Sequence, residues 1–423
     1  MSVKAVLGCQ WGDEGKGKIV DSLSKDISIV ARFQGGANAG HTIYFNGHKI
    51  VLHQIPSGIL QKNAACLLGH GMVIDPVGLT EEIASLEKYG LEPERRIYIS
   101  PNANIITPFH KEKDRLLEAA AGKQSIGTTM KGIGPAYAEL TERQSLKAWQ
   151  LFDEATAIHH LTRQYHQLKI QFGENVKPIE SYSPLLESFF LNVGQILPLI
   201  RDFSKLLLDT VSNGKNILIE GAQGLLLDLD YGTFPYVTSS HTSTGGIFTG
   251  LPLNFRQIDK IYGVYKAYNT RVGNGPFPTE RKDVIGEQLQ KQGFEYGATT
   301  GRPRRCGWFD AVLGRYAAHL NAVDEIVLTK LDVLNDFSEL NVAVAYRIDG
   351  KEYRDIFGMM HRLSDAEPIY EVLPGWQQSL EGIKDFADLP HAAQDYISFL
   401  EKEIGRPIGF ISAGVNREDH IIR

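Results

Sequence analysis

The chain has 423 residues, of which 43% are hydrophobic and 22% charged, and its formal net charge is −6. These values are typical of a globular protein with two or three domains or one large α/β domain, and they exclude a broad basic surface for nucleic acid. No stretch approaches the ~20 apolar residues of a membrane span, and the three cysteines are too far apart for a metal site or disulfide framework, so we expect a cytoplasmic protein without membrane or nucleic-acid partners.

Strand and helix patterns alternate along the first hundred residues. Apolar runs predict strands at 3–9, 28–33, 64–68 and 96–100, and apolar residues at helical spacing predict a helix at 80–89. Further buried strands are predicted at 216–220, 325–329 and 407–412. Strands that alternate with helices and loops favour a mostly parallel sheet.

The middle and the last third of the chain have different patterns. Mainly helical segments are predicted at 109–121, 151–172 and 184–210, whereas the last third is mixed, with a hairpin that turns at Asp349-Gly350 and a helix at 391–404. We therefore predict three parts: an α/β nucleotide-binding core at 1–100 plus 202–264, a helical subdomain at 101–201, and a mixed α+β C-terminal part at 265–423.

A glycine loop lies between the first predicted strand and a predicted helix at 19–23. Its spacing, Gly12-x4-Gly17-Lys18, matches a phosphate-binding loop except that Ile19 replaces the usual Ser or Thr. Backbone N–H groups in such a loop and the helix N-terminus bind phosphate. Asp13 is the obvious substitute for the missing metal ligand, because a carboxylate there otherwise repels phosphate. A surface turn that is merely rich in Gly and Lys is the alternative.

A second glycine-rich cluster, at 35–42, follows the strand that is predicted at 28–33. Its small residues let a ligand approach the backbone, while Asn38, His41 and Thr42 offer hydrogen bonds. Because His41 titrates near neutral pH, it is a candidate general acid or phosphate partner. The alternative is a structural histidine.

Two turns after predicted strands favour a guanine nucleotide. The carboxylate of Asp332 can accept hydrogen bonds from guanine N1–H and from the exocyclic amine. The apolar stem of Lys330 can cover the base. The turn at 412–414 offers backbone donors to the base carbonyl. Thr329 stands where guanine-binding motifs usually have Asn. The combination favours GTP over ATP, although similar strings occur in solvated turns.

A dense basic loop lies at 298–305, with three arginines and two threonines. Such a loop is a candidate clamp for carboxylate or phosphate, and the alternative is a solvated basic loop. Three polar stretches, at 127–137, 220–224 and 231–240, are each as compatible with a nucleotide site as with an ordinary turn.

Taken together, these segments resemble the adenylosuccinate synthetase family. The matching motifs occur in the family's order over nearly the whole chain, at 10–18, 38–42, 132–135, 220–224, 235–240, 271–273, 275–280, 299–302 and 330–332. The resemblance implies a large α/β sheet related to P-loop NTPases with a helical subdomain. It also implies a ligase that joins IMP and L-aspartate, with GTP as co-substrate and one Mg2+ per subunit. The products are adenylosuccinate, GDP and phosphate, formed through 6-phosphoryl-IMP on the route to AMP.

The resemblance also implies the site residues. Asp13 would be the base that takes the N1 proton of IMP, His41 the acid that supports departure of GDP, and Gln223 a group that orients Asp13. The metal ligands would be Asp13 and the main-chain oxygen of Gly40. The GTP site would comprise Gly12, Asp13, Glu14, Gly15, Lys16, Gly17, Lys18, Gly40, His41, Thr42, Arg304, Lys330, Leu331, Asp332, Ser412, Ala413 and Gly414. The IMP site would comprise Asp13, Glu14, Gly15, Lys16, Asn38, Ala39, Gly40, His41, Thr129, Arg143, Gln223, Thr238 and Arg302. The aspartate site would comprise Ala298, Thr299, Thr300, Gly301, Arg302, Pro303 and Arg304.

Arg143 aligns with an arginine that the neighbouring subunit lends to the site, which implies a homodimer. Two other functions stay open at this point: a GTP-binding switch and a relative acting on another purine nucleotide. Asp13 and Ile19 argue against the switch, since switches keep Ser or Thr on the metal. The carboxylate of Asp13 suits the N1–H of any 6-oxo purine.

Overall fold

The computed structural model describes residues 2–122, 125–297 and 301–423. The strands in this part of the chain are β1 (Val3–Gly8), β2 (Ile29–Gly35), β3 (His41–Phe45), β4 (His48–Leu52), β5 (Ala65–Ile74), β6 (Ile97–Ile99), β7 (Asn104–Ile105), β8 (Ile217–Glu220), β9 (Lys260–Lys266), β10 (Asn269–Arg271), β11 (Arg305–Gly307), β12 (Phe309–Asp310), β13 (Glu325–Thr329), β14 (Glu339–Ile348), β15 (Lys351–Tyr353), β16 (Glu367–Pro374), β17 (Ile408–Ser412) and β18 (His420–Ile422).

The α-helices of the described ranges connect these strands and cover the sheet. They are α1 (Lys16–Leu23), α2 (Pro76–Glu87), α3 (Pro108–Ala121), α4 (Ile133–Thr141), α5 (Glu154–Phe172), α6 (Ser183–Ile196), α7 (Ser204–Ser212), α8 (Thr244–Gly250), α9 (Val284–Gln292), α10 (Ala311–Leu320) and α11 (His391–Ile404). Within the described ranges, no helix is both long and apolar enough to cross a membrane.

A ten-stranded sheet forms the centre of the molecule. Its order is β18-β17-β13-β9-β1-β8-β2-β5-β6, and β7 pairs with β5 outside this path. Neighbouring strands are parallel, except that β18 runs antiparallel to β17. β1, β2 and β8 are almost entirely buried, as expected for parallel strands that helices cover on both faces. The predicted α/β fold with a mostly parallel sheet is confirmed.

The structure corrects three details of the predicted elements. The sequence did not predict β9, whose short apolar run contains Gly263 and has Lys260 and Lys266 at its two ends, although the strand lies between β1 and β13. The helix that was predicted at 184–210 is two helices, α6 and α7, with a 3-10 turn at Leu197–Leu199 between them. A second 3-10 turn, at Ala148–Phe152, delays the start of α5 to Glu154.

The described part of the chain after 265 contributes to three sheets, one of which is the two-stranded pair of β10 and β11. β13, β17 and β18 extend the central sheet, while β12, β14, β15 and β16 form a separate four-stranded sheet. β14 and β15 make the predicted hairpin, and Asp349 and Gly350 turn the chain with φ of 51° and 74°. The edge of the central sheet therefore does not coincide with the boundary predicted at 265, and the three-part division stays a prediction.

Candidate active site

The predicted site segments lie at one edge of the central sheet. The loops after β17, β13, β1, β8 and β2 all leave the carboxyl ends of parallel strands, and these strands are close neighbours in the sheet. In open α/β sheets ligands bind outside these carboxyl ends. Segments that are up to four hundred residues apart in sequence therefore meet at one place.

The loop between β1 and α1 is held by contacts between one of its own side chains, that of Glu14, and other residues of the loop. Gly12, Asp13 and Gly15 adopt left-handed backbone conformations with φ of 82°, 59° and 88°. The buried carboxylate of Glu14 accepts hydrogen bonds from the backbone N–H groups of Gln10 (3.1 Å) and Gly12 (2.9 Å). Its second oxygen lies 2.5 Å from Nζ of Lys16. These contacts of Glu14 stabilise the loop in which Asp13 has a positive φ, a conformation that is uncommon for a residue with a side chain.

The loop after β8 packs directly against this phosphate-binding loop. A Cβ on Gly224 would lie 2.8 Å from the nitrogen of Gly12 and closer still to oxygens of Gln10 and Glu14. On the other side, Oγ1 of Thr329, at the end of β13, donates to the carbonyl oxygen of Glu14 at 2.6 Å. The neighbouring strand ends therefore fix the position of the loop.

Asp13 forms an ion pair with Arg304. Oδ2 of Asp13 lies 2.9 Å from Nε of Arg304, and the Asp13 side chain stays 29% exposed. The phosphate-binding loop is thereby joined to the basic loop that sequence analysis singled out at 298–305. The exposed fraction of Asp13 leaves the carboxylate accessible to a ligand or a cation.

His41 is buried and fixed by a carboxylate. Its Nδ1 hydrogen-bonds Oε1 of Glu220, and Glu220 also accepts from the backbone N–H (2.7 Å) and the hydroxyl (2.8 Å) of Ser57. Burial lowers the pKa of His41, and the charge of Glu220 opposes that shift. With Nδ1–H directed to Glu220, Nε2 is the nitrogen that can meet a phosphate.

Asn38 and Thr238 approach each other, and Gln223 lies beside Gln34 at the ends of β2 and β8. Nδ2 of Asn38 lies 3.4 Å from Oγ1 of Thr238, and Oδ1 of Asn38 accepts from the backbone N–H of Gly36. Oε1 of Gln223 accepts from Nε2 of Gln34 at 3.2 Å. Nε2 of Gln223 is buried and has no hydrogen-bond partner within the described ranges. A buried donor without a partner is costly, which makes this nitrogen a candidate ligand contact.

The remaining residues of the predicted IMP set lie on loops. Nη1 of Arg302 donates to the carbonyl oxygen of Gly127 at 3.1 Å, so the segment with Thr129 lies beside the basic loop. Arg143 lies on an exposed turn after α4 with φ of 62°, and α5 holds that turn through Arg163, which donates to the carbonyl oxygen of Gln144.

Lys18 joins the phosphate-binding loop to the predicted guanine turn. Its Nζ donates to Oγ of Ser412 and to the carbonyl oxygen of Gly414, both at 2.7 Å. Burial lowers the pKa of Lys18 to about 8. Burial also raises the pKa of Asp332, against the nearby charges of Lys330 and Lys18. The predicted phosphate and guanine subsites are thus contiguous.

The neck of the predicted aspartate loop is a short two-stranded ladder. Tyr296 pairs with Pro303, the Gly297 N–H donates to the Arg302 carbonyl (2.8 Å), and the Arg304 N–H donates to the Glu295 carbonyl (2.9 Å). Gly301 has φ of 65°. Ala298, Thr299 and Thr300 of the predicted set lie outside the described residues.

Three residues that support the site were not assigned a role from the sequence. Glu220 holds His41, Ser57 holds Glu220, and Glu295 holds Arg304. A charged residue at the end of a buried apolar strand was a signal for Glu220. Nothing in the local sequence marks Ser57 or Glu295, because their contacts are with residues far away in the chain.

The arrangement suits transfer of a phosphoryl group between anionic ligands. It combines a phosphate-binding loop, lysines and arginines for anionic oxygens, a carboxylate that is accessible as a base, and an imidazole held by a second carboxylate. Such sites act by positioning the reactants and by stabilising the charge of the transition state.

Comparisons with known proteins agree along the whole chain. The family model for adenylosuccinate synthetase matches residues 5–421. Adenylosuccinate synthetase of Caldicellulosiruptor saccharolyticus is 46% identical over 100% of this chain and 99% of its own, and that of Hahella chejuensis is 47% identical over 98% and 97%.

Two solved structures share the fold. Fully ligated adenylosuccinate synthetase from Plasmodium falciparum matches with a TM-score of 0.91 and 38% identity over 100% of both chains. The succinoaminodeoxyadenylate synthetase of cyanophage S-2L, bound to dGMP and dATP, matches with a TM-score of 0.64 and 20% identity over 100% of this chain and 95% of its own. At that identity the second match bears on the fold alone.

Proposed function

The chain belongs to the adenylosuccinate synthetase family, and from this premise we propose that the site around Asp13 carries out the family's reaction. That reaction is the GTP-dependent joining of IMP and L-aspartate by a C–N bond, so the chain is a ligase of AMP biosynthesis. The observation that carries the proposal is the meeting of Asp13, the His41–Glu220 pair and the Lys18–Ser412 contact at one edge of the sheet.

We assign the first step to Asp13 and His41. Asp13 takes the N1 proton of IMP, and oxygen 6 attacks the γ-phosphorus of GTP while the bond from that phosphorus to the leaving GDP oxygen breaks. His41 directs a proton on Nε2 toward the phosphate of the departing GDP. The negative charge of that phosphate favours the protonated imidazole. Glu220 supports this role because it accepts from Nδ1–H and stabilises the imidazolium.

The second step forms the C–N bond. Phosphorylation turns oxygen 6 into a good leaving group, so the aspartate amine adds at carbon 6 and phosphate departs. We propose that the loop with Thr299, Thr300 and Arg302 holds the aspartate carboxylates and that Arg304 contacts both aspartate and GTP. Arginine suits this task because its fork pairs with a carboxylate through two hydrogen bonds.

Substrate recognition is divided among the neighbouring loops. We propose that Lys330, Asp332 and the 412–414 turn hold guanine, while the 12–18 loop and the 40–42 segment hold the phosphates. Asn38, Thr129, Gln223, Thr238 and Arg302 are the proposed IMP contacts. The unpartnered Nε2 of Gln223 supports its place in this set.

The residues present also fit Mg2+. This ion prefers oxygen ligands and keeps few protein ligands beside substrate phosphates, and the proposed ligands are the partly exposed carboxylate of Asp13 and the main-chain oxygen of Gly40. When bound, the ion would neutralise charge on the transferring phosphates.

We further propose a homodimer in which Arg143 reaches the partner's IMP phosphate. The exposed position of Arg143, on a turn that α5 holds through Gln144, supports a contact outside its own subunit. A cytoplasmic location is also proposed, supported by three buried cysteines that carry free thiols.

A direct assay tests the function. Purified protein with GTP, Mg2+, IMP and L-aspartate is expected to produce adenylosuccinate, followed by ultraviolet absorbance, and to release phosphate only when all three substrates are present. Asp13→Ala should abolish turnover, whereas the matched change Asp209→Ala, at an exposed position on α7 where the carboxylate pairs with Lys205, should not.

The assay also separates the alternatives. GTP hydrolysis without IMP and aspartate would indicate a switch, and product from dGMP but not from IMP would indicate a relative with another purine substrate. Failure to form adenylosuccinate with all substrates present would refute the assignment.

A further inference from the structure

A wholly buried carboxylate, that of Glu295, lies among the cations of the site. Its Oε1 accepts from Lys266 (2.9 Å), Lys330 (2.8 Å) and the hydroxyl of Tyr268 (2.5 Å). Its Oε2 accepts from Lys266 (3.0 Å) and from Nη1 of Arg304 (2.5 Å). Glu295 and Lys266 are both 0% exposed, so this ion pair lies away from bulk solvent.

The carboxylate is ionised in this setting. Burial alone would raise the pKa of Glu295, but the charges of Lys266, Lys330 and Arg304 outweigh it and hold the pKa well below its usual range. The cluster therefore depends on one negative charge that three cations share. A buried charge of this kind is costly to disrupt, because each partner that loses it is left unpaired.

Two of the three cations belong to the proposed substrate subsites. Lys330 has a left-handed backbone (φ 57°), and its Nζ donates to the carbonyl oxygen of Gly293 as well as to Glu295, so two acceptors hold the end of its side chain. Arg304 lies between Glu295 and Asp13 and contacts both. Lys266, on β9, is a structural partner that donates to Thr270 as well.

Glu295 also holds the neck of the aspartate loop through its backbone. Its carbonyl oxygen accepts from the N–H of Arg304 at 2.9 Å, and its own N–H donates to the carbonyl oxygen of Gln290 at 2.9 Å. Backbone and side chain of one residue thus tie Arg304 to the end of α9.

We infer that Glu295 is a positioning residue that holds Lys330 for the guanine base and Arg304 for Asp13 and aspartate, and that it thereby couples guanine-nucleotide binding to aspartate binding. The inference rests on the proposed function for the assignment of the subsites. Because both cations depend on one carboxylate, a ligand that fixes either cation reduces the freedom of the other. Such coupling is reciprocal, so each ligand strengthens the binding of the other by the same factor.

The test is Glu295→Gln in the full chain. It keeps the shape of the side chain and removes the charge, and hydrogen bonds to charged groups contribute enough that we expect at least about tenfold weaker GDP binding by calorimetry and at least about tenfold higher KM for aspartate. The KM for IMP should change far less, because the side-chain partners of Glu295 do not include Asn38, Thr129 or Thr238 of the proposed IMP site.

Glu403→Gln is the matched control. Glu403 also pairs with two arginines, Arg315 at 2.9 Å and Arg354 at 2.8 Å, but none of the proposed subsites contains them. We expect wild-type GDP affinity and aspartate KM in this variant.

A double-mutant cycle separates positioning from a general loss of stability. If Glu295 acts on the nucleotide through Lys330, Glu295→Gln should weaken GDP binding strongly in the wild-type chain and hardly at all in a Lys330→Met chain. Additive effects of the two changes would assign Glu295 a merely structural role and overturn the inference.

Two further outcomes are decisive. A folded Glu295→Gln variant with wild-type GDP affinity and aspartate KM overturns the inference. If Glu295→Gln does not fold, Glu295→Asp, which keeps the charge on a shorter side chain, takes its place under the same criteria. GDP binding can be measured without turnover. If the ligase assay fails but Glu295→Gln and Lys330→Met have non-additive effects on GDP binding, the proposed function is rejected and the role of Glu295 at the nucleotide subsite is not.

Discussion

At the scale of single residues, Lys18 has a charge that depends on pH within the physiological range. Burial lowers its pKa to about 8, so its Nζ is positive below pH 8 and neutral above it. In the proposed nucleotide complex, phosphates beside Lys18 would raise that pKa, because they favour the charged form. We therefore predict that the GTP affinity is coupled to protonation of Lys18.

We predict that the Kd for GTP rises as the pH rises through 8, by up to about tenfold per pH unit, until the pKa of the complex is reached. Calorimetry between pH 7 and 9.5 measures this dependence. Lys18→Arg should flatten it, because arginine stays charged throughout. The same slope in Lys18→Arg would assign the dependence to another group.

We propose that Asp332 determines the base specificity of the proposed guanine site. We predict that Asp332→Asn weakens GTP binding by about tenfold or more, since a charged acceptor becomes an amide that presents a donor to the guanine amine. Xanthosine triphosphate, which has an oxygen in place of that amine, should lose less affinity. Competition binding of both nucleotides measures the difference, and an unchanged GTP affinity would remove Asp332 as the guanine reader.

At the scale of elements, the phosphate-binding loop is positioned by its neighbour after β8. We predict that Gly224→Ala costs about 1–3 kcal/mol of unfolding free energy and weakens GTP binding, because the added methyl overlaps the backbone of Gly12 and Gln10. Thermal unfolding and nucleotide titration test both effects.

Gly194→Ala is the control for that change. A Cβ at Gly194 meets nothing within 4 Å, and the residue lies in α6, so alanine should be neutral or stabilising by about 0.5–1 kcal/mol. A Gly224→Ala variant that equals Gly194→Ala in stability and GTP affinity would show that the loop tolerates the displacement.

The elements that the sequence predicts well are those whose signal is local. β1, β8, β13 and β17 are short apolar runs, and the glycine-rich and polar segments that follow them were recognised without any contact information. β9 was not predicted because its apolar run is short, contains Gly263 and has a lysine at each end. Lys266 is buried there as an ion pair with Glu295, which is 29 residues away in the chain.

The same limit applies within the site. Residues of the phosphate-binding loop follow from their spacing, whereas the carboxylates that hold His41 and Lys330 are 179 and 35 residues away in the chain and leave no pattern near them. Sequence therefore predicted the groups proposed to meet substrates, but not the carboxylates of Glu220 and Glu295 that orient those groups.

At the scale of the whole molecule, the proposed exchange of Arg143 between subunits predicts complementation. Asp13→Ala and Arg143→Leu should each be inactive alone. In a heterodimer of the two, one site has an intact Asp13 and receives Arg143 from the other chain, so subunit exchange should restore about a quarter of wild-type activity at equal mixing. If Arg143 acted within its own subunit, the mixture would stay inactive.

The order of strands in the central sheet has a consequence for the protein during its synthesis. β9, at its centre, separates β13 and β17 from β1, so the guanine turn reaches Lys18 only after segments that are made late have joined segments that are made first. A growing chain on the ribosome thus has its phosphate-binding loop long before it has a complete nucleotide site. If GTP binds at the proposed site, it stabilises only a chain whose residues from 412 onward have emerged.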